Sequence, residues 1–84
     1  MQATGEGIGA RIRSARRTKQ LSVNELAHRI SRSPHTMYIW EQGKALPTVT
    51  DAIALAHELE VDLRWLLLGD AARRRRSRPE ASVA

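Results

Sequence analysis

Apolar residues return along this chain every three to four positions, and Gly, Pro and Ser break the runs. That is helical periodicity with turn punctuation, and no alternating strand pattern accompanies it. Ile8, Ile12 and Ala15 make one face of a first helix over about 6–18, whose other face carries Arg11, Arg13 and Arg17. Ser22 and Glu25 form a capping box, in which a hydroxyl and a carboxylate satisfy opposite orphan amides. Leu21 is placed to staple onto Leu26. A short second helix follows over about 23–30, with Val23, Leu26, Ala27 and Ile30 apolar. Ser33 reads as the N-cap and Pro34 as the first residue of a third helix over about 34–42. Met37 and Trp40 are its inward pair, and Gly43 ends it. Thr48 caps a fourth helix with the stripe Val49, Ala52, Ile53, Ala56 and Leu59. Asp62 caps a fifth, almost wholly apolar through Leu63, Trp65, Leu66 and Leu67, which ends near Gly69. The expected fold is all-α with five helices, and Leu26, Met37, Trp40, Ile53, Leu59 and Leu66 are its expected core.

Composition narrows the class. The chain has 84 residues, 42% of them hydrophobic, enough for one small globular domain. That domain is expected over 7–69, with a flexible N-terminus over 1–6 and a basic, disordered tail over 70–84. Cysteine is absent, which excludes a disulfide scaffold and cysteine-type zinc sites. No apolar run approaches the roughly 18–20 residues that cross a bilayer, and no basic-then-apolar signal pattern opens the chain. A soluble, cytoplasmic protein without membrane contact is expected.

The net charge of +5 is unevenly spread. Residues 11–44 hold eight bases and two acids, residues 45–70 one base and five acids, and residues 71–84 five arginines and Glu80. Such a dipole orients its basic side toward a polyanion. The same charges equally describe an ordinary solvated surface. His28, His35 and His57 share no metal-binding helical spacing with a carboxylate, so no metal is expected. Gly5, Gly7 and Gly9 have no strand ahead of them and are not a dinucleotide fingerprint. No nucleophile–base pair appears. An enzyme, a cofactor and a small-molecule effector are not indicated.

The informative unit is 22–43. It holds two short capped helices separated by about three residues, the second capped by Ser and started by Pro. This is the helix-turn-helix layout, in which the second helix places its N-terminal residues against base edges in the major groove. On the residues Ile12-Arg13, Arg16, Leu21-Ser22, Leu26-Ala27, Ser33, Met37, Trp40-Glu41, Gly43-Lys44, Pro47 and 62–69, the sequence resembles the Cro/CI-like phage-repressor family, of the XRE type. The resemblance runs without a gap over about 7–69.

The resemblance implies a lambda-repressor-like domain of five helices and binding of double-stranded DNA, often as a homodimer on a palindromic operator. It places base reading at positions 34, 35, 38 and 39, and the base-reading set is His35, Thr36, Tyr38 and Ile39, since Pro34 has no donor. Phosphate contacts fall to Ser22, Ser33, Gln42, Lys44, Arg13 and Arg17. Arg16 and Glu41 look like the family's structural ion pair, and Leu63 and Arg64 fall at the dimer interface.

Four positions depart from the family pattern. Val23 stands where Gln is usual and cannot hydrogen-bond a phosphate. Ser31 stands where Gly is usual; a turn with positive φ there costs roughly 1 kcal/mol. Arg32 stands where an apolar residue is usual, so its stem is expected along the core with the charge outside. Pro34 cannot donate to a base.

Individual side chains have two readings. His35 in the first turn is suited to donate to guanine, or is a polar surface residue. Ile39 is suited to a thymine methyl, or belongs to a protein-contact patch. Tyr38 reaches a base or phosphate, or lies over its own helix. Arg11, Arg13, Arg17 and Lys19 contact phosphate in part, or are a solvated face. Three functions follow. One is a sequence-specific transcriptional regulator: a repressor, controller or antitoxin. Another is a protein-interaction module of the same fold without base readout. The third is electrostatic binding by the Arg73–Arg78 tail alone.

Overall fold

The computed structural model describes residues 5–69. Five helices run in order: α1 (Gly5–Thr18), α2 (Val23–Arg29), α3 (Pro34–Glu41), α4 (Val49–Leu59) and α5 (Leu63–Leu68). No strand occurs among the described residues. Of the N-terminus expected to be flexible over 1–6, Gly5 and Glu6 instead belong to α1, while residues 1–4 and the tail 70–84 lie outside the described residues.

Each helix from α2 to α5 starts on the cap that its sequence supplies. Ser22 Oγ accepts from the Glu25 amide at 3.0 Å while Glu25 Oε1 accepts from the Ser22 amide at 2.8 Å, a complete capping box. Ser33 Oγ accepts from the Thr36 amide at 3.1 Å, with Pro34 as the next residue. Thr48 Oγ1 accepts from the Asp51 amide at 3.1 Å, and Asp62 Oδ1 from the Arg64 amide at 2.7 Å.

The ends share one device. After α2, the Ser31 amide bonds the His28 carbonyl and the Arg32 amide bonds the Ala27 carbonyl, with Ser31 at φ 59. That is a Schellman closure built on a left-handed residue. Gln20 at φ 59 and Glu60 at φ 58 close α1 and α4 in the same way. Gly43 at φ 77 closes α3. Ser31 therefore does occupy the strained conformation that its position demands.

Helix α1 is the spine. It packs against α3, α5 and α4, while α2 packs on α3. Ile8, Ile12, Ala15, Leu26, Met37, Trp40, Leu55, Leu59 and Leu66 form the core. Leu21 and Leu26 are both buried there, which is the staple arrangement. Gly9 sits where α1 crosses the end of α3. A Cβ at Gly9 would collide with the backbone carbonyl oxygen of Trp40 and lie 2.6 Å from that of Glu41.

Two expectations for α4 need correction. Ile53 is 53% exposed and Val49 74% exposed. The buried stripe of α4 is instead Asp51, Ala52, Leu55, Ala56 and Leu59. Helix α4 is apolar on more than one side, so periodicity alone leaves its rotation open. Leu55 anchors it, and Asp51 turns inward because the Arg32 guanidinium meets it there.

These features give opposite expectations for two substitutions. Gly9→Ala gains about 1 kcal/mol of helix propensity. It must also push two backbones apart, which costs on the order of 3 kcal/mol, so thermal stability falls. Ser31→Gly removes the left-handed strain at an exposed position and should raise stability by up to about 1 kcal/mol. Thermal melts of both variants beside the parent check the pair; a stabilised Gly9→Ala would refute the close crossing.

Candidate nucleic-acid interface

Helix α3 is built with two faces. Met37, Trp40 and Glu41 are buried against the rest of the domain. His35, Tyr38, Ile39 and Gln42 are spaced i, i+3, i+4 and i+7, which gathers them on the opposite face. His35 and Gln42 are exposed, Tyr38 is 54% exposed, and Ile39 is half-buried. This outward stripe carries no acidic side chain. Thr36 is half-buried at its margin, and its hydroxyl is 3.0 Å from Ser33 Oγ. Pro34 is exposed at the tip of the helix.

The expected phosphate set divides. Ser22 and Ser33 are exposed at the N-termini of α2 and α3. Helix N-termini carry partial positive charge. Gln42, Lys44 and Arg13 come together around one open cleft between α1 and the loop after α3, with Ala10 and Glu41 completing its walls. Arg13 is also tethered there. Its Nη2 donates to the Glu41 carbonyl at 3.2 Å, and its Nε lies 3.5 Å from Glu41 Oε1. Arg17 is exposed on α1.

Glu41 anchors α3 from beneath. Arg16 Nε donates to Oε2 at 2.7 Å and Nη2 to Oε1 at 3.1 Å, a bidentate pair, while Nη1 donates to the Leu21 carbonyl at 2.9 Å. Hydrogen bonding to Glu41 raises the Arg16 pKa further, burial acting against it. Leu63 is half-buried and Arg64 exposed at the start of α5.

The sequence pattern left most of the charge pairing hidden. Arg32 Nε donates to Asp51 Oδ1 at 2.9 Å, Arg29 lies 3.6 Å from Glu58, and Lys19 lies 2.9 Å from Glu60. Arg32 therefore does more than lay its stem along the core: its head is tied to a buried carboxylate. Arg11 leaves the solvated face as well, donating to the carbonyls of Leu66 and Leu67 at the end of α5. Of the bases in 11–44, Arg17 and Lys44 make no ion pair among the described residues. The available signal was the departure at Arg32 together with an acid, Asp51, at the third position of α4.

An all-α domain whose second and third helices form a capped helix-turn-helix, with a neutral-to-basic outward stripe, defines a class. Residues 9–71 match the model of the helix-turn-helix domain family, and the chain belongs to that family. No curated protein sequence matches the chain at a significant level. Among solved structures it is similar to the P22 c2 repressor in complex with a synthetic operator, at 27% identity over 75% of this chain and 96% of that one, TM-score 0.72. It is also similar to the clp gene regulator ClgR from C. glutamicum, at 26% identity over 82% of this chain and 90% of that one, TM-score 0.72. Hydroxypropylphosphonic acid epoxidase from S. wedmorenis shares the fold at 23% identity, over 80% of this chain and 36% of that one, TM-score 0.68. No helix among the described residues is long and apolar enough to cross a membrane.

Two exposed carboxylates add a small acid sensitivity to the scaffold. Bonds from the Ser22 amide and hydroxyl hold Glu25 below the usual carboxylate value of 4.5, and the Lys19 ammonium does the same for Glu60. A folded-state pKa below the unfolded one adds stability that is present above the unfolded value and lost as pH falls through the folded one. Thermal midpoints should therefore hold at neutral pH and decline below about 4.5. Glu25→Gln, which keeps an acceptor without a titrating group, should flatten part of that decline. An unchanged acid profile in Glu25→Gln would remove the capping box as a source.

Proposed function

We propose that this chain is a sequence-specific DNA-binding transcriptional regulator, a repressor or controller that inserts α3 into the major groove of a palindromic operator as a homodimer. The observation that carries this reading is the outward stripe of α3. His35 offers a donor in the first turn, Ile39 offers an apolar surface one turn on, and neither is needed by the core. Around it stand the groups suited to phosphate: two exposed capped helix N-termini, and Lys44 with Gln42 at the cleft beside α1. The solved P22 c2 repressor, bound to its operator, supports the same use of the fold.

The protein works as a binding module rather than an enzyme, in the cytoplasm, without a cofactor or effector. Two copies meet near Leu63 and Arg64, spaced so that their recognition helices lie about 34 Å apart, one DNA turn. The exposed Leu46, Val49 and Ile53 favour a second reading, a protein-interaction module of the same fold.

Selection from a random duplex library separates the two. A palindrome should be enriched, with two protomers per site in sedimentation. On that operator, His35→Ala and Ile39→Ala should each lose about 1–3 kcal/mol of discrimination at one base pair. Lys44→Ala should instead lower affinity evenly for operator and scrambled DNA. A wild-type protein that enriches no sequence would hand the lead to the interaction module.

The five arginines of 71–84 add positive charge to the chain. Truncation after Gly69 should weaken all duplexes without re-ranking them, and reduce the salt slope by roughly 0.9 for each phosphate that those arginines neutralise. Titrations at several salt concentrations read this directly; an unchanged slope would show that the tail is idle.

A further inference from the structure

Helix α3 is pinned firmly at one end. Its C-terminal residue Glu41 is locked to Arg16, and the α1 backbone crosses it at Gly9. The stripe suited to reading bases begins at the other end, at His35. An eight-residue helix is about 12 Å long. A tilt of about 5° around the pinned end would carry the first turn by about 1 Å, which is enough to spoil a hydrogen bond to a base edge.

Met37 and the packing of α2 hold α3 against the core, and a polar relay ties down the residues that lead into its first turn. Arg32 immediately precedes the α3 N-cap, and its own amide is fixed to the Ala27 carbonyl at 2.9 Å. Its Nε donates to Asp51 Oδ1 at 2.9 Å. The other Asp51 oxygen, Oδ2, accepts from the Thr48 hydroxyl at 2.9 Å, and Thr48 is the N-cap of α4. Asp51 is 6% exposed although it is charged. The start of α3 is thus tied to the start of α4 through one buried carboxylate. This is also why α4 turns Asp51 inward and leaves Ile53 out.

We propose that the Arg32–Asp51 pair is a positioning device that sets the angle of α3 in the groove, and hence the sequence preference, without touching DNA itself. The proposal rests on the DNA-reading function above. It makes a prediction opposite in sign to simple electrostatics. Asp51→Asn removes a negative charge and frees a cation beside the interface, so charge alone would tighten binding to every duplex. If the pair positions α3, operator affinity instead falls about tenfold while affinity for scrambled DNA holds or rises.

The test compares wild type, Asp51→Asn, Arg32→Met and the double variant Arg32→Met/Asp51→Leu on the selected operator and on scrambled duplex. Far-UV circular dichroism checks folding, and amide chemical shifts of Ser33–Thr36 are recorded without DNA. Each single variant should lose operator preference and shift those amides. The double variant replaces the pair by an apolar contact of similar bulk, and should recover preference to within about threefold of wild type. Parallel changes on both duplexes in Asp51→Asn, or unmoved amides, would overturn the positioning role. A wild type with no preference for any sequence would instead mark failure of the DNA-reading function, and the specificity role would fall with it. If Asp51→Asn does not fold, the double variant decides: full folding without recovered preference overturns the proposal.

Discussion

Everything in this domain depends on seating α3 on α1. The seat is a buried carboxylate, Glu41, gripped from below by the fork of the Arg16 guanidinium, which also holds the Leu21 carbonyl at the entrance to α2. One side chain thereby joins α1, α3 and the start of α2. Removing either partner would strand a charge in the interior at a cost of about 3–5 kcal/mol. Because the pair is bidentate, it fixes the orientation of the Glu41 carboxylate as well as its distance from α1. Gly9 permits the close approach that the pair requires. No buried side-chain polar atom among the described residues lacks a partner.

From that seat the two faces of α3 acquire different tasks. Met37 and Trp40 are consumed by the core. His35, Tyr38, Ile39 and Gln42 are left over, and a stripe with no structural obligation is free to carry recognition. The helix is too short to be stable alone. Its conformation is imposed by its cap, by Gly43 and by the spine beneath it, and that rigidity is what a reading surface needs.

The charges do less for solubility and more for architecture than their totals suggest. The basic half and the acidic half are stitched together by Lys19–Glu60, Arg29–Glu58 and Arg32–Asp51. The first two each keep one partner largely in water and contribute little. The third reaches a buried partner, and it joins the beginnings of two helices. Among the described bases of 11–44, Arg17 and Lys44 stand in no ion pair.

The helix boundaries and the caps were legible in the sequence because each is decided within three to five residues, whereas the strained turn at Ser31 was flagged only by resemblance to a family that has Gly there. Ser22 finds Glu25, Ser33 finds Thr36 and Thr48 finds Asp51 whatever the rest of the chain does. The outward stripe of α3 was legible for the same reason, since helical spacing alone separates it from Met37 and Trp40. Arg16 with Glu41 was visible only through resemblance to a family. What tertiary structure alone decided lies at longer range: which face of α4 is buried, where Arg11 spends its donors, and that Arg32 meets Asp51. Those partners are 19 to 56 positions apart in the chain. A guanidinium on a flexible stem has many acids and carbonyls within reach of an unfolded chain, and only the packed helices choose among them.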